Sequence, residues 1–395
     1  MEESVINSDN SRITVLSSAH GLNHALQLVL PTLLPSLLSE FKISYYSAGL
    51  LIACFALPYS LLQIPFGHLS DKKGRKKIIL VGLAIYSLAT ILCGLSKNNW
   101  QLGLFQFFAG IGGASYHPVG IPFLSLSVDG KKRGETMGFH QAGGALGSFI
   151  GPLASVYIGA AFNWRYSFII LAVINLIIGI VLWHSVSEQE VTDRRVSDRD
   201  IRRRTFSNSH VMRLVVLIFS FSFVSLIVYR ALTSFLTSYI VTKYSTGLEF
   251  AAQMLALFQI MGIIGAPVFG RLSNKTGRRT MLAILVVCQC IFMFLFTYVP
   301  LLVSVLVVCV IGCAAYGVAA VQDTWATETN LRSVVGILVG AVVTGNFLSG
   351  AFITPIIGFL ADQVGFDYSF RILSLVPLLG LPIIRITKLE KSSDG

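Results

Sequence analysis

The chain has 395 residues, of which 54% are hydrophobic types and 12% are charged, with a mean hydropathy of +0.73. Soluble domains carry about 25% charged residues, so this composition excludes a soluble globular protein and describes a chain built to lie in a bilayer. The formal net charge of +11 raises nucleic acid as a partner, but the placement of the cations, given below, explains that charge without one.

Spanning the hydrocarbon takes about 20 mostly apolar residues. Twelve such runs occur, near residues 16–38, 47–69, 78–95, 101–127, 136–161, 166–185, 214–241, 248–270, 281–298, 301–322, 335–361 and 368–386. They are continuous, as in "RYSFIILAVINLIIGIVLW" from Arg165 to Trp183, whereas a transmembrane barrel shows alternating segments of about ten residues. The first run follows the polar start "MEESVINSDNSR" and is too long for a signal-peptide core, so it reads as a retained span. With the N-terminus inside, 24 of the 30 Lys and Arg fall on cytoplasmic segments and four outside (Lys42, Lys97, Arg165, Lys243). That asymmetry is the positive-inside pattern and predicts a multi-pass protein of the cell membrane with both termini cytoplasmic.

Along the chain, helix one carries His20, Asn23 and His24, with the two imidazoles one turn apart on one side. Between helices two and three, "GHLSDKKGRKK" (Gly67 to Lys77) packs six charges into eleven residues. Its five cations hold the topology. Gly67 is expected to let the helix end approach a neighbour and Gly74 to permit a tight turn, and Asp71 is placed to meet Arg75 or a helix N-terminus. Helix four holds His117 before Pro118, and helix five carries His140 and Gln141 near its start within the glycine-rich series Gly138, Gly143, Gly147, Gly151 and Pro152. Small residues three or four apart let a neighbouring helix come close, and the proline favours a kink.

The second half repeats the first. "GRLSNKTGRRT" (Gly270 to Thr280) follows the opening loop by 203 residues, "IGCAAY" follows "IGGASY" by 200, and "DYSFRIL" follows "RYSFIIL" by 202. The second loop has Asn274 where the first has Asp71, which predicts that the loop's ionic contact belongs to the first repeat alone. Residues 1–186 thus form an N-terminal six-helix bundle, 187–212 a charged cytoplasmic linker, and 213–395 a C-terminal six-helix bundle.

Charge inside a span costs about 2.5–3.5 kcal/mol on the insertion scale and marks a site by default. Arg230 lies near the middle of the charge-free run between Arg213 and Lys243, and its guanidinium suits a carboxylate or phosphate. Asp323 stands either on a cavity or on the cytoplasmic rim, and Arg371 is expected to pair with Asp362 or Asp367. No metal site is expected among the cysteines, all six of which lie in spans. Cys288 and Cys290 are about 200° apart on a helix, and Cys309 and Cys313 have no His or acid nearby in sequence. No phosphate-binding loop and no catalytic Ser/His/Asp or paired-carboxylate arrangement is present, so neither an enzyme nor a cofactor is expected.

The loop pattern G-x-L-[SA]-D-[KR]-x-G-R-[KR], fitted by Gly67, Leu69, Ser70, Asp71, Lys72, Gly74, Arg75 and Lys76, resembles the signature loop of the major facilitator superfamily. The resemblance covers nearly the whole chain and implies an all-α membrane protein, with 12 transmembrane helices in two pseudo-symmetric six-helix bundles and a midplane site worked by alternating access. "HGLNHALQLVLPTLLP", "LLQIPFGHLSD", "YHPVG" and "HQAGGALGSFIGPL" are similar to the fosmidomycin-resistance-like branch of exporters. That branch implies export of a drug-like or phosphonate-like compound, with exchange for protons as an option. Gly138, Gly147, Gly151 and Pro152 follow a spacing similar to the fifth-helix motif of drug/proton antiporters. The resemblance implies that His20, His24, His117 and His140 stand on cavity-lining helices, so that these four with Asn23, Gln141 and Arg230 are the candidate substrate-binding residues, and that the loop stabilises an outward-facing state. It also implies an acid in helix one, where this chain has His24, and an Arg in helix four, where it has Gln106, so His24 is the candidate proton carrier. Proton-coupled uptake of an organic anion, and a non-transporting membrane sensor or scaffold, remain open as alternatives. The expected partners are a small-molecule substrate, the lipid bilayer and optionally protons, in a monomer.

Overall fold

A computed structural model describes residues 2–128, 132–186, 209–328 and 335–387. The described residues are helical apart from their connections, and the breaks fall where the sequence supplies a cap, a proline or a glycine. The first half comprises α1 (Glu2–Phe41), α2 (Tyr45–Leu61), α3 (Gln63–Lys73), α4 (Arg75–Gly94), α5 (Asn99–Gly113), α6 (Tyr116–Leu126), α7 (Arg133–Ala161) and α8 (Trp164–Ser185). The second comprises α9 (Ser209–Ser225), α10 (Ile227–Tyr244), α11 (Leu248–Ile260), α12 (Gly262–Thr276), α13 (Arg278–Phe296), α14 (Leu301–Thr327), α15 (Val335–Leu375), a short 3₁₀ turn and α16 (Gly380–Ile386).

Ser44 caps α2 by accepting from the Ser47 amide, and Asn98 and Asn163 cap α5 and α8 in the same way, each satisfying one orphan N–H of a first turn. Gly74 and Gly277 turn the chain between α3 and α4 and between α12 and α13 with φ of 96° and 84°, a left-handed region that favours glycine. The two repeats thus share one loop geometry. Gly365, at φ 79°, breaks the long α15 between the last two expected spans.

Among the described residues, eight helical stretches are long and apolar enough to cross a bilayer, and nine when α2 and α3, bent by 44°, count as one span. α1 is not among them because His20, Asn23, His24 and Gln27 lower its hydropathy. α5 and α6 are each short pieces of one run, and the stretch Ile337–Ile386 holds two runs joined at Gly365. Each of the twelve expected runs therefore has a helical counterpart. Large apolar side chains face outward along them, Leu302 with 83% of its surface exposed, as lipid-facing residues do.

By its internal packing the chain divides into two compact units that do not coincide with the sequence halves. One comprises residues 1–191, 233–260 and 354–359, the other 192–232, 261–353 and 360–395. The first unit takes in pieces of the second repeat through close backbone contacts. Thr354 donates its hydroxyl to the Gly49 carbonyl at 3.1 Å, Thr237 donates to the Pro31 carbonyl at 2.7 Å, and Gln253 reaches the Tyr157 hydroxyl at 2.9 Å. A Cβ at Gly49 would lie 2.8 Å from the Pro355 Cα, so the absence of a side chain is what permits the approach. Of the expected linker, residues 187–208 lie outside the described ones.

Within the first unit, α1 and α7 pack backbone to backbone. A Cβ at Gly143 would meet the Ser17 carbonyl at 2.5 Å, one at Gly151 would meet the Ala25 Cα at 2.7 Å, and one at Gly147 would overlap Gly21. Gly138 belongs to the same sequence pattern, but a Cβ there would meet nothing within 4 Å. The packing reason therefore applies to Gly143, Gly147 and Gly151 and does not extend to Gly138, which is exposed. Pro152 is buried inside α7. Near the far end of α1, outside the spans, burial pushes the Glu40 carboxyl up, but the Trp164 indole and the Arg165 guanidinium at 2.6 Å outweigh that and leave it below its usual range.

The seam predicts that Gly147→Leu lowers the thermal unfolding midpoint of the detergent-solubilised protein by the equivalent of about 1–3 kcal/mol of overpacking, while Gly138→Ala leaves it unchanged. Equal midpoints for the two variants would remove the seam as a determinant of stability.

Candidate functional site

The α1–α7 seam brings together histidines that are distant in sequence. His20 and His24 on α1 meet His117 on α6 and His140 on α7, with ring centroids 4.2 Å apart for His20–His140, 4.8 Å for His20–His24, 5.1 Å for His20–His117 and 5.2 Å for His24–His117. The His20 ring is nearly parallel to those of His140 and Tyr116, which are themselves 6.0 Å apart, and the Tyr116 hydroxyl donates to the Leu16 carbonyl. His20 can reach this position because Gly144 has no side chain, since a Cβ there would stand 2.6 Å from the His20 Cε1.

The hydrogen bonds assign one tautomer. Nδ1 of His20 is 2.9 Å from the His140 carbonyl, and a carbonyl only accepts, so Nδ1 carries the proton and the neutral ring presents a lone pair at Nε2. That nitrogen is 3.1 Å from Nε2 of His24. His140 is fully buried, and neither of its ring nitrogens has a hydrogen-bond partner among the described residues. Gln141 follows His140 in the chain but is exposed and joins none of these contacts.

One turn further along α1 the chemistry changes from imidazole to amide and phenol. Asn23, fully buried, donates to the Gly113 carbonyl at 3.1 Å and accepts from Gln27 at 2.8 Å and from the Tyr59 hydroxyl at 3.1 Å. Gln27 also donates to Tyr59 at 3.0 Å, and the Tyr86 hydroxyl reaches the Asn23 carbonyl at 3.4 Å. Gln27, Tyr59 and Tyr86 are absent from the sequence expectations. Gln27 had a readable signal, a polar residue inside a span and one turn from Asn23, whereas the tyrosines are joined to it only by tertiary packing.

The second unit carries its own polar centre. Arg230 on α10 donates through Nε to the Asn346 carbonyl at 2.9 Å, and its guanidinium lies over Phe347 at 4.8 Å and Tyr229 at 5.5 Å. It remains partly exposed. Gly350, one turn beyond Asn346, leaves room for its stem, since a Cβ there would approach the Arg230 Cδ to 3.2 Å. Gln322 donates to the Asn346 side chain at 3.0 Å and accepts from Ser225 at 3.3 Å. Asp323, next in sequence, is exposed four residues before the end of α14. Arg371 does not take the carboxylate partner expected of it. It donates to the Thr297 hydroxyl at 2.8 Å and stacks on Tyr298 at 4.0 Å and Tyr368 at 4.9 Å.

In the charged loop, Arg75 pairs with Asp71 at 2.9 Å across one helical turn. Gly74 supplies the turn, but a Cβ at Gly67 would meet Pro118 only at an ordinary 3.5 Å, so close approach does not require glycine there. The second copy corrects the expectation that its Asn274 leaves it without an ionic contact. Arg278, the counterpart of Arg75, pairs with Glu328 at 2.9 Å just past the end of α14, and also donates to Gly270 and Ser273. An acid fifty positions away in the chain thus replaces the one missing from the loop.

Comparison with known proteins places these features in context. Residues 16–331 match the model of the Major Facilitator Superfamily. The fosmidomycin resistance protein of Escherichia coli (strain K12) is 23% identical over 93% of this chain and 90% of its own length, and the multidrug resistance protein 2 of Bacillus subtilis (strain 168) is 25% identical over 100% and 99%. Among solved structures, a D-xylose–proton symporter superposes with a TM-score of 0.79 at 14% identity, over 95% of this chain and 96% of that one.

Asn23 is the shared acceptor of the amide and phenol network. Asn23→Leu leaves the Tyr59 hydroxyl and the Gly113 carbonyl buried without it, so the unfolding midpoint should fall by the equivalent of about 1–3 kcal/mol. An unchanged midpoint would show that the network is dispensable to the fold.

Proposed function

The chain belongs to the Major Facilitator Superfamily, and on that premise we propose that it is a secondary transporter exporting a small organic compound that bears an acidic group, phosphonate-like or carboxylate-like, by alternating access. That the protein is a multi-pass membrane transporter and not an enzyme follows from the family. The choice of substrate rests on Arg230. A cation in the middle of a span is costly unless it serves binding, and this one is positioned by a backbone carbonyl and two aromatic faces while staying partly accessible. A guanidinium so fixed meets a phosphonate or carboxylate with paired, charge-assisted hydrogen bonds.

Export is the direction favoured by the two resistance proteins that align over nearly the whole chain. Exchange for protons is part of the reading through the neutral imidazoles of α1, His24 being the one that remains partly exposed beside His20. The Asp71–Arg75 pair belongs to the rocking step and not to substrate contact, since it sits in the loop between α3 and α4. The protein is assigned to the cell membrane, with the charged loops on the cytoplasmic side.

Ligand-induced thermal stabilisation across phosphonates, carboxylates, sugar phosphates and cationic drugs tests the assignment. An anionic class should stabilise the protein, and Arg230→Gln should weaken that ligand by roughly 10- to 100-fold, the equivalent of about 1.5–3 kcal/mol for hydrogen bonds to a charged group. Stabilisation by cations alone would overturn it. In proteoliposomes, Asp71→Asn should slow transport of the same ligand without changing its affinity. An unchanged rate would leave the loop charges with a role in topology only.

A further inference from the structure

Four of the seven histidines in the chain converge in the first unit, and for three of them, His20, His24 and His117, one ring nitrogen of each lies within 4.8 Å of the others. We propose that these three side chains form a binding site for a borderline divalent transition-metal ion of the Zn²⁺, Co²⁺ or Ni²⁺ class. The expectation from sequence, which weighed the cysteines for such a role, assigned no metal.

The geometry carries the assignment. Metal–imidazole bonds of about 2.0–2.1 Å place the nitrogens of a tetrahedral site roughly 3.3 Å apart, and Nε2 of His20 and Nε2 of His24 already stand 3.1 Å apart. Bringing His117 in from within 4.8 Å takes a rotation of its ring of the order of an ångström. His20 and His24 are one turn apart on α1, the spacing at which two helical histidines clamp one ion, and His117 approaches from α6.

The surroundings are those of a prepared ligand. A metal-bound imidazole commonly donates its other N–H to a carbonyl or carboxylate, which fixes the tautomer and the ring plane. His20 does this through Nδ1 to the His140 carbonyl at 2.9 Å, and its ring runs nearly parallel to those of His140 and Tyr116, at interplanar angles of 8° and 9°. A single cation shared among three nitrogens satisfies more lone pairs than one proton on one ring does. The donors are imidazoles without a carboxylate, which selects a borderline transition ion over Mg²⁺ or Ca²⁺. Three protein ligands also leave a fourth position for water or another donor. The proposal is independent of the substrate reading, because all three residues lie in the first unit and Arg230 in the second.

The test is a Co²⁺ titration of the full-length protein, purified in detergent without a polyhistidine tag and followed by ligand-field absorption in the visible. The expected result is one saturable equivalent of Co²⁺ with the intense bands of a four- or five-coordinate nitrogen site, displaced by Zn²⁺ and indifferent to equimolar Mg²⁺. His24→Gln and His117→Gln should each weaken it at least about tenfold. Combined replacement of His68, His184 and His210, the three histidines outside the cluster, by Gln should leave it intact. Absence of a saturable equivalent in the unmodified protein would overturn the proposal, as would a signal lost in the triple variant. Both measurements stand even if a cluster variant fails to fold.

Discussion

The contact on which the candidate site depends is the backbone approach of α1 to α7. Lipid supplies no hydrophobic drive between helices, so association rests on close van der Waals packing and on interhelical hydrogen bonds worth about 0.6–2 kcal/mol each. Gly143, Gly147 and Gly151 let the two helices meet at Ser17, Gly21 and Ala25. Once the backbones are that close, Gly144 admits the His20 ring and the His140 carbonyl comes within reach of its Nδ1. A bulkier stripe on α7 would push His20 away from His140. The imidazole cluster is therefore a consequence of how α1 packs, with the chemistry of α1 chosen to use the space.

The two repeats share a scaffold and diverge in their polar content. Gly74 and Gly277 give both charged loops the same turn, and both loops hold an arginine in an ion pair, but the acid comes from the loop itself in the first repeat and from beyond α14 in the second. Inside the spans the divergence is larger, with imidazoles and an amide–phenol network in the first unit and the Arg230 guanidinium beside the Asn346 carbonyl in the second. That division matches a reading in which one centre handles a cation and the other an anionic group.

The elements that were legible in the sequence are those set by local composition. The twelve apolar runs, the repeat and the turn glycines all have their counterparts, because hydropathy, periodicity and positive φ are properties of short windows. His20 and His24 were readable as a pair for the same reason. Their union with His117 and His140 was not, since it depends on helices 90 to 120 residues apart in the chain. Gln141 neighbours His140 in sequence, but adjacent helical residues point about 100° apart, and it is exposed where His140 is buried. Gly138 fits a spacing pattern but stands beyond the seam, and Arg371 meets the Thr297 hydroxyl and aromatic rings in place of an acid, a contact that joins residues 74 positions apart. Glu328 could be matched to Arg278 only once the fold had brought the end of α14 beside the second loop.

Carrier, channel and sensor make different predictions for exchange across a membrane, so the central claim is tested most directly by counterflow. Proteoliposomes loaded with an unlabelled phosphonate or carboxylate that stabilises the protein would be given the same compound, labelled, outside. An alternating-access carrier predicts saturable entry of label that transiently overshoots equilibrium and is faster than into empty vesicles. Entry that rises linearly with concentration and ignores the internal load, or no entry at all, would contradict it.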